Sequence, residues 1–158
     1  MERFKIFIAC PISKYLTEEG MNKEFENFIK EIYQTCKEYS EETFMALYRE
    51  EYGKARMSDA ECTPLDFEEM KDTDVVIAFP EDSMGVAVEL GWASSMKKRI
   101  MLILNEKYEG SPLIRALYTV TDAKSISISA EESYYYHKDY IIDQIRNYLT
   151  SIVMIKEV

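Results

Sequence analysis

Glu89 is the one charged residue in an otherwise apolar run, MGVAVELGWASSM, at residues 84–96. The run lacks proline and clusters Val, Leu and Trp, which predicts a helix packed against a core. Burying an unpaired carboxylate is strongly unfavourable. The dipole and free amides of a helix N-terminus lower that cost, because Glu89 lies about one turn inside the helix. Two interpretations follow: a catalytic carboxylate, or one that accepts hydrogen bonds from a neighbouring loop.

Short apolar segments alternate with helical patterns along the chain. Residues 74–79 and 99–104 are nearly continuous apolar runs, which suit strands covered on both faces. The repeated alternation of strand and helix predicts one α/β domain over 1–158, of the doubly wound flavodoxin or Rossmann-like kind. We expect a five-stranded parallel sheet in the order 2-1-3-4-5. The predicted strands are 4–10, 44–48, 74–79, 99–104 and 124–129.

Helical periodicity and capping signals mark the connections between these strands. Thr63 is a candidate N-cap with Pro64 at the first helical position, and Ser111 with Pro112 repeats that start. Residues 49–62 are the one long irregular stretch, either a functional lid or a solvated connection. The predicted helices are 21–39, 63–72, 84–96, 111–120 and about 138–153.

Composition restricts the class of protein. Three widely spaced cysteines give neither a disulfide framework nor a metal spacing, which fits a reducing cytoplasm. A formal charge of −10 argues against a nucleic acid polymer as partner. We expect no secretory signal and no membrane span, because no apolar stretch approaches the ~20 residues that a span needs. The sequence pattern around the single histidine, His137, offers no Cys, Asp or Ser with which it would form a catalytic or metal-binding set, which disfavours serine–histidine hydrolysis and histidine-ligated metal chemistry.

Ligands of open α/β sheets bind beyond the carboxyl ends of the strands, where the strand order reverses. The loops in question are CPIS (10–13) and PEDSMG (80–85), and the second leads into the helix of Glu89. Neither GxGxxG nor GxxxxGK[ST] is present, so a bound phosphate must be held by serines and helix amides. Three serines precede or open predicted helices: Ser13, Ser83 and Ser111.

These motifs together resemble the nucleoside 2-deoxyribosyltransferase superfamily. They are closest to its branch of 2′-deoxynucleoside 5′-phosphate N-hydrolases and hydroxymethyl-CMP hydrolases. The most specific part is an aspartate just before strand 3, then S-x-G-V-x-x-E-L-G, then a basic turn and strand 4. The resemblance extends over most of the chain, from IFIACPIS through PLDFEEM to SPLIRAL.

The resemblance implies a role for each matching residue. Glu89 falls on the glutamate that attacks the anomeric carbon of the sugar. Asp66 falls on the aspartate that contacts the sugar and assists departure of the base. Transferases of unphosphorylated nucleosides have an aspartate where Ser83 stands, so Ser83 favours a nucleotide. The implied substrate-binding residues are Ile12, Ser13, Ser83, Gly85 and Ser111.

Two positions depart from the family pattern. Phe7 stands where the family has a tyrosine that hydrogen-bonds the catalytic glutamate, and Cys10 and Pro11 replace the Gly-Ser of the hydrolases. The remaining residues suit the chemistry, because a carboxylate can stabilise or capture the oxocarbenium-like state of a breaking N-glycosidic bond.

The sequence therefore predicts an N-glycosidase that converts a (deoxy)nucleoside 5′-monophosphate to free base and sugar phosphate. The alternatives are a nucleoside 2-deoxyribosyltransferase, an NAD glycohydrolase and a non-catalytic nucleotide sensor. We expect no cofactor or metal, and a homodimer or larger homo-oligomer. The tyrosines of SYYY (133–136), with Tyr48 and Tyr52, are candidates for the interface between subunits.

Overall fold

The computed structural model describes residues 4–106, 110–129 and 133–156. At its centre lies a five-stranded parallel sheet, which we number in chain order. In this numbering the strand order is 2-1-3-4-5, so the predicted α/β fold and order are confirmed. The structure also contains a short antiparallel hairpin that the sequence did not predict, formed by Leu16–Thr17 and Gly20–Met21. The strands are β1 (Ile6–Ala9), β2 (Thr43–Met45), β3 (Val75–Ala78), β4 (Arg99–Asn105) and β5 (Ala123–Ile128).

Helices cover both faces of this sheet. Side chains of β1 alternate between two cores, with Ile6 and Ile8 in one and Phe7 and Ala9 in the other. The first core lies under α1 and α6, and the second under α3 and α4. The helices are α1 (Lys23–Lys37), α2 (Ala46–Arg49), α3 (Asp59–Asp72), α4 (Met84–Ser95), α5 (Pro112–Arg115) and α6 (Lys138–Lys156), with 3₁₀ turns at Glu51–Gly53, Leu117–Thr119 and Tyr134–His137.

The second strand is shorter than its apolar run predicts. The prediction of a strand over 44–48 is wrong from residue 46 onward, where α2 begins. Short apolar runs fit a strand and a buried helical turn equally well. Here the helical turn buries Leu47 and stacks Tyr48 on the Tyr33 ring of α1, with ring centroids 4.5 Å apart.

Helix α3 begins four residues before the predicted cap. Ser58 and Glu61 form a capping box, in which the Ser58 amide donates to Glu61 Oε2 at 3.0 Å. Thr63 therefore lies inside the helix, where its hydroxyl donates to the Asp59 carbonyl at 2.7 Å, and Pro64 follows within the helix. The irregular stretch predicted over 49–62 is therefore shorter in the structure, because residues 59–62 belong to α3.

The predicted helix at 111–120 divides into α5 and a 3₁₀ turn. Its predicted cap is confirmed, because the Leu113 amide donates to the Ser111 hydroxyl at 3.2 Å. Within the described ranges, none of the helices is both long and apolar enough to cross a membrane.

Candidate active site

The loops that follow β1 and β3 are joined directly. The Tyr15 hydroxyl donates to the Glu81 carboxylate at 2.6 and 2.7 Å, and Lys14 Nζ lies 2.9 Å from Glu81 Oε1. Glu81 and Asp82 adopt left-handed backbone conformations, with φ of 35° and 58°, which are uncommon for residues other than glycine. The two loops meet where the strand order reverses, at the predicted ligand crevice.

Helix α4 places Glu89 beside this crevice. Its N-cap is Ser83, whose hydroxyl accepts a hydrogen bond from the Val86 amide at 3.3 Å. Val86 and Leu90 are buried against the sheet, and Glu89 is half-buried between that face and solvent. Among the described residues, none donates a hydrogen bond to the Glu89 carboxylate. This carboxylate is thus held by its helix and free to meet a ligand.

The surroundings of Glu89 favour its protonated form. Burial, followed by the negative charge of Asp66, raises the pKa of Glu89 to about 8, and the positive charge of Arg49 opposes that rise. Both the protonated and the ionised form of Glu89 are therefore accessible near neutral pH, and loss of the proton is coupled to the charges of Asp66 and Arg49.

Asp66 projects from α3, which packs against α4 through an edge-to-face contact of Phe67 and Trp92 at 5.2 Å. Its Oδ1 accepts a hydrogen bond from Arg49 Nη1 at 2.6 Å. Burial raises the pKa of Asp66, and the ion pair with Arg49 opposes that shift. Asp66 thus lies close enough to Glu89 to influence the ionisation of Glu89.

Arg49 is a residue that sequence reasoning missed. It ends α2, just beyond β2 at the carboxyl edge of the sheet, and its guanidinium lies 5.5 Å from the centroid of the Phe44 ring. A second nitrogen, Nη2, lies 3.5 Å from Glu50 Oε1. The available signal was a basic residue directly after a strand next to β1, where the crevice was expected.

Phe7 lies within β1, and Cys10 directly follows that strand. Phe7 is fully buried and packs on Phe44, with ring centroids 4.8 Å apart, so no phenol reaches Glu89 from this position. Burial and the nearby charge of Glu89 raise the pKa of the Cys10 thiol, which keeps it neutral. Position 7 on β1 therefore offers Glu89 no hydroxyl, and the thiol that follows β1 carries no charge.

The predicted substrate-binding residues lie in three places. Ile12 and Ser13 lie in the loop after β1, where the Ile12 carbonyl accepts from the Tyr15 amide at 3.1 Å. Ser83 and Gly85 lie at the start of α4, across the joined loops. Ser111 caps α5 beyond β4, and among the described residues no hydrogen bond or ion pair connects it to either loop.

A separate groove of ≈ 490 Å³ lies between α1 and α6 on the other face of the sheet. Its lining carries both signs of charge: four carboxylates, Glu31, Glu38, Asp139 and Asp143, and two cations, Lys30 and Arg146. Nowhere in the described ranges do three or more His, Cys, Asp or Glu residues group so that they could hold a metal ion.

A doubly wound parallel sheet with the strand order 2-1-3-4-5 defines a Rossmann-like protein. No known family profile and no curated protein sequence matches the chain. Two solved structures are similar to it. The CMP N-glycosidase BcmB of Clostridium botulinum is 31% identical over 87% of this chain and 98% of that one, with a TM-score of 0.62. BlsM is 29% identical over 90% of each chain, with a TM-score of 0.65.

The chain belongs to the nucleoside 2-deoxyribosyltransferase-like superfamily. The resemblance inferred from the sequence is confirmed at this level. Its assignment to the branch of nucleotide hydrolases stays a prediction.

Proposed function

We propose that this protein is an N-glycosidase that hydrolyses a (deoxy)nucleoside 5′-monophosphate to free base and sugar phosphate. The observation that carries the proposal is the half-buried Glu89 carboxylate, which has no hydrogen-bond donor among the described residues and lies beside Asp66 at the crevice. CMP is the first substrate to test, because BcmB is a CMP N-glycosidase.

In the proposed reaction the ionised Glu89 attacks the anomeric carbon, C1′. The bond between C1′ and the base nitrogen breaks, and the base leaves with the bonding electron pair and takes up a proton. Water then attacks C1′ of the resulting ester, which releases sugar phosphate and a proton and restores the Glu89 carboxylate. Splitting the displacement in this way replaces one difficult step by two easier ones.

Asp66 suits one of its two implied roles better than the other. The ion pair with Arg49 opposes the rise in the Asp66 pKa that burial causes, and it uses Oδ1 as a hydrogen-bond acceptor. A carboxylate accepts a hydrogen bond from a sugar hydroxyl, whereas donation to the departing base needs the acid. We therefore assign Asp66 to hold the sugar, with the proton for the base coming from another donor or from water.

The phosphate is proposed to bind at the start of α4. The Ser83 oxygen accepts from the Val86 amide, which leaves the hydroxyl hydrogen available to a phosphate oxygen. The helix N-terminus favours an anion at the same place. Ile12, Ser13 and Gly85 complete this side of the proposed site, and Ser111 is a further proposed phosphate ligand.

The direct test is release of free base from a panel of nucleosides, nucleoside 5′-monophosphates and NAD, followed by chromatography. We expect base only from monophosphates, and at least 100-fold less with Glu89→Gln. Glu68→Gln is the matched control, because Glu68 is exposed on α3 and pairs with Lys71. Activity that survives in Glu89→Gln would contradict the assignment of the nucleophile.

The same panel separates the alternatives. Exchange of the base in the presence of a second free base would show a 2-deoxyribosyltransferase, and nicotinamide release would show an NAD glycohydrolase. A nucleotide sensor is favoured by Phe7, which gives Glu89 no phenolic hydrogen bond. A sensor would show thermal stabilisation by nucleotide with no base released.

We also propose that the protein acts as a cytoplasmic homodimer. Helix α4 is apolar on most sides, yet Met84 is 86% exposed and Val88 is 52% exposed. Leu113 and Tyr118, on the same side of the sheet, are also exposed. Of the tyrosines suggested for an interface, Tyr134 is buried in the core and so unsuited to that role.

A further inference from the structure

The guanidinium of Arg49 is fixed on three sides. Asp66 Oδ1 accepts from Nη1 at 2.6 Å, Glu50 Oε1 lies 3.5 Å from Nη2, and the Phe44 ring lies alongside at 5.5 Å. Its Nε is buried, with no hydrogen-bond partner among the described residues. A planar cation held in this way keeps its orientation when a neighbouring group changes charge.

The segment that carries Arg49 is itself anchored against α1. The Tyr48 ring stacks on Tyr33 at 4.5 Å, and Lys30 Nζ lies 4.5 Å from the centroid of the Tyr52 ring. These contacts lie on both sides of Arg49 in the chain, so they fix the backbone from which its side chain extends.

The 3₁₀ turn after Arg49 has an unusual backbone. Glu51, Tyr52 and Gly53 have successive φ values of 50°, 55° and 92°, all in the left-handed region. Residues other than glycine rarely adopt that region, and such conformations persist only when surrounding contacts enforce them. The buried Glu50, whose carbonyl accepts from the Gly53 and Ala55 amides at 3.0 Å, provides that enforcement.

We propose that Arg49 is a positioning residue of the active site: it holds Asp66 by one carboxylate oxygen and places a fixed positive charge beside Glu89. This inference rests on the proposed N-glycosidase function. Asp66 Oδ2 then stays available to the sugar. The positive charge reduces the repulsion between the two carboxylates, so that both can be ionised when C1′ is attacked.

The charged and titratable groups around Glu89 come from three directions. Helix α3 contributes Asp66, with Glu69 behind it, and α2 contributes Arg49. The loop after β1 contributes the thiol of Cys10, which stays neutral. Glu69 forms an ion pair with Lys5, which reduces its effect. Arg49 is therefore the cation that acts on Glu89 in this group.

The test compares Arg49→Met and Arg49→Lys with the control Arg56→Met, which removes the same charge from an exposed position seven residues along the chain. One readout is the pH dependence of kcat/KM for base release. The other is titration of the Glu89 carboxyl by ¹³C NMR, with its signal assigned by loss in Glu89→Gln. Arg49→Gln is a second neutral variant in case Arg49→Met does not fold.

We expect Arg49→Met to move the midpoint of Glu89 ionisation to higher pH by about one unit, since a nearby opposite charge shifts the pKa of a carboxyl by ~1–3 units. Arg49→Lys should keep the midpoint close to its wild-type value but retain only part of the wild-type kcat. Arg56→Met should change neither the midpoint nor kcat. An unmoved midpoint with a uniform loss of kcat/KM would show a structural role and overturn the proposal. If no nucleotide is a substrate, the proposed function fails, and the NMR titration still decides the electrostatic effect of Arg49.

Discussion

At the scale of single residues, the two chemical roles open to Glu89 differ in the charge they need. A nucleophile must be ionised, whereas a general acid must carry a proton. Burial and Asp66 raise the pKa of Glu89 to about 8, so both forms are present near neutral pH. The direction in which activity changes with pH therefore distinguishes the two roles.

We expect kcat/KM to rise between pH 6.5 and 9, with a midpoint near the Glu89 pKa of about 8. The profile of kcat/KM reports the free enzyme, and the nucleophile gains its charge as pH increases through that value. Starting at pH 6.5 limits interference from the substrate, because the second pKa of a phosphate monoester is about 6. Activity that instead falls above pH 8 would identify Glu89 as a general acid.

At the scale of elements, the start of α3 determines where Asp66 is presented. Ser58 and Glu61 cap the helix through hydrogen bonds of 2.7 and 3.0 Å. Ser58→Ala should lower the free energy of unfolding by about 1 kcal/mol, the usual cost of losing an N-cap. Thr63→Ala, at the position that the sequence pattern suggested, should change it by much less. Chemical denaturation checks both, and a larger effect of Thr63→Ala would contradict the observed helix start.

The sequence predicts the elements whose signals are local and continuous. The apolar runs of β3 and β4 locate those strands to within about one residue, because side chains buried on both faces leave no polar interruption. FMALY is too short to separate strand from helix, so α2 was missed. The left-handed turn at Glu51–Gly53 has only a weak local signature, since glycine occupies just the last of its three left-handed positions.

The candidate site shows the same division between local and long-range information. Glu89 is recognisable because a charge interrupts an apolar helix, and Ser83 because it precedes that helix. Arg49 is not recognisable, because its role depends on an ion pair with Asp66 that forms only when α2 meets α3. The departure at Phe7 is visible in the sequence, but its packing on Phe44 requires the register of β1 with β2.

At the scale of the whole molecule, charge limits how a nucleotide can bind. A net charge of −10 repels a phosphate at long range, so attraction must come from donors at the site itself. The helix N-terminus of α4 and the serines near it are such donors, and their effect is confined to about one helical turn. This arrangement suits a single nucleotide and disfavours a polymer that would extend over acidic surface.

The exposed apolar face of α4 leads to a prediction about the proposed homodimer. A helix that is apolar on most sides is ordinarily buried on most sides, yet Met84 and Val88 face solvent in the single chain. Val88→Lys places a charge within this face and should convert the proposed dimer to a monomer in sedimentation equilibrium. Met154→Lys, an equally drastic change on the exposed surface of α6, is the control and should leave the mass unchanged. A wild-type protein that stays monomeric at all concentrations would contradict the homodimer, and two variants that both stay dimeric would place the interface elsewhere.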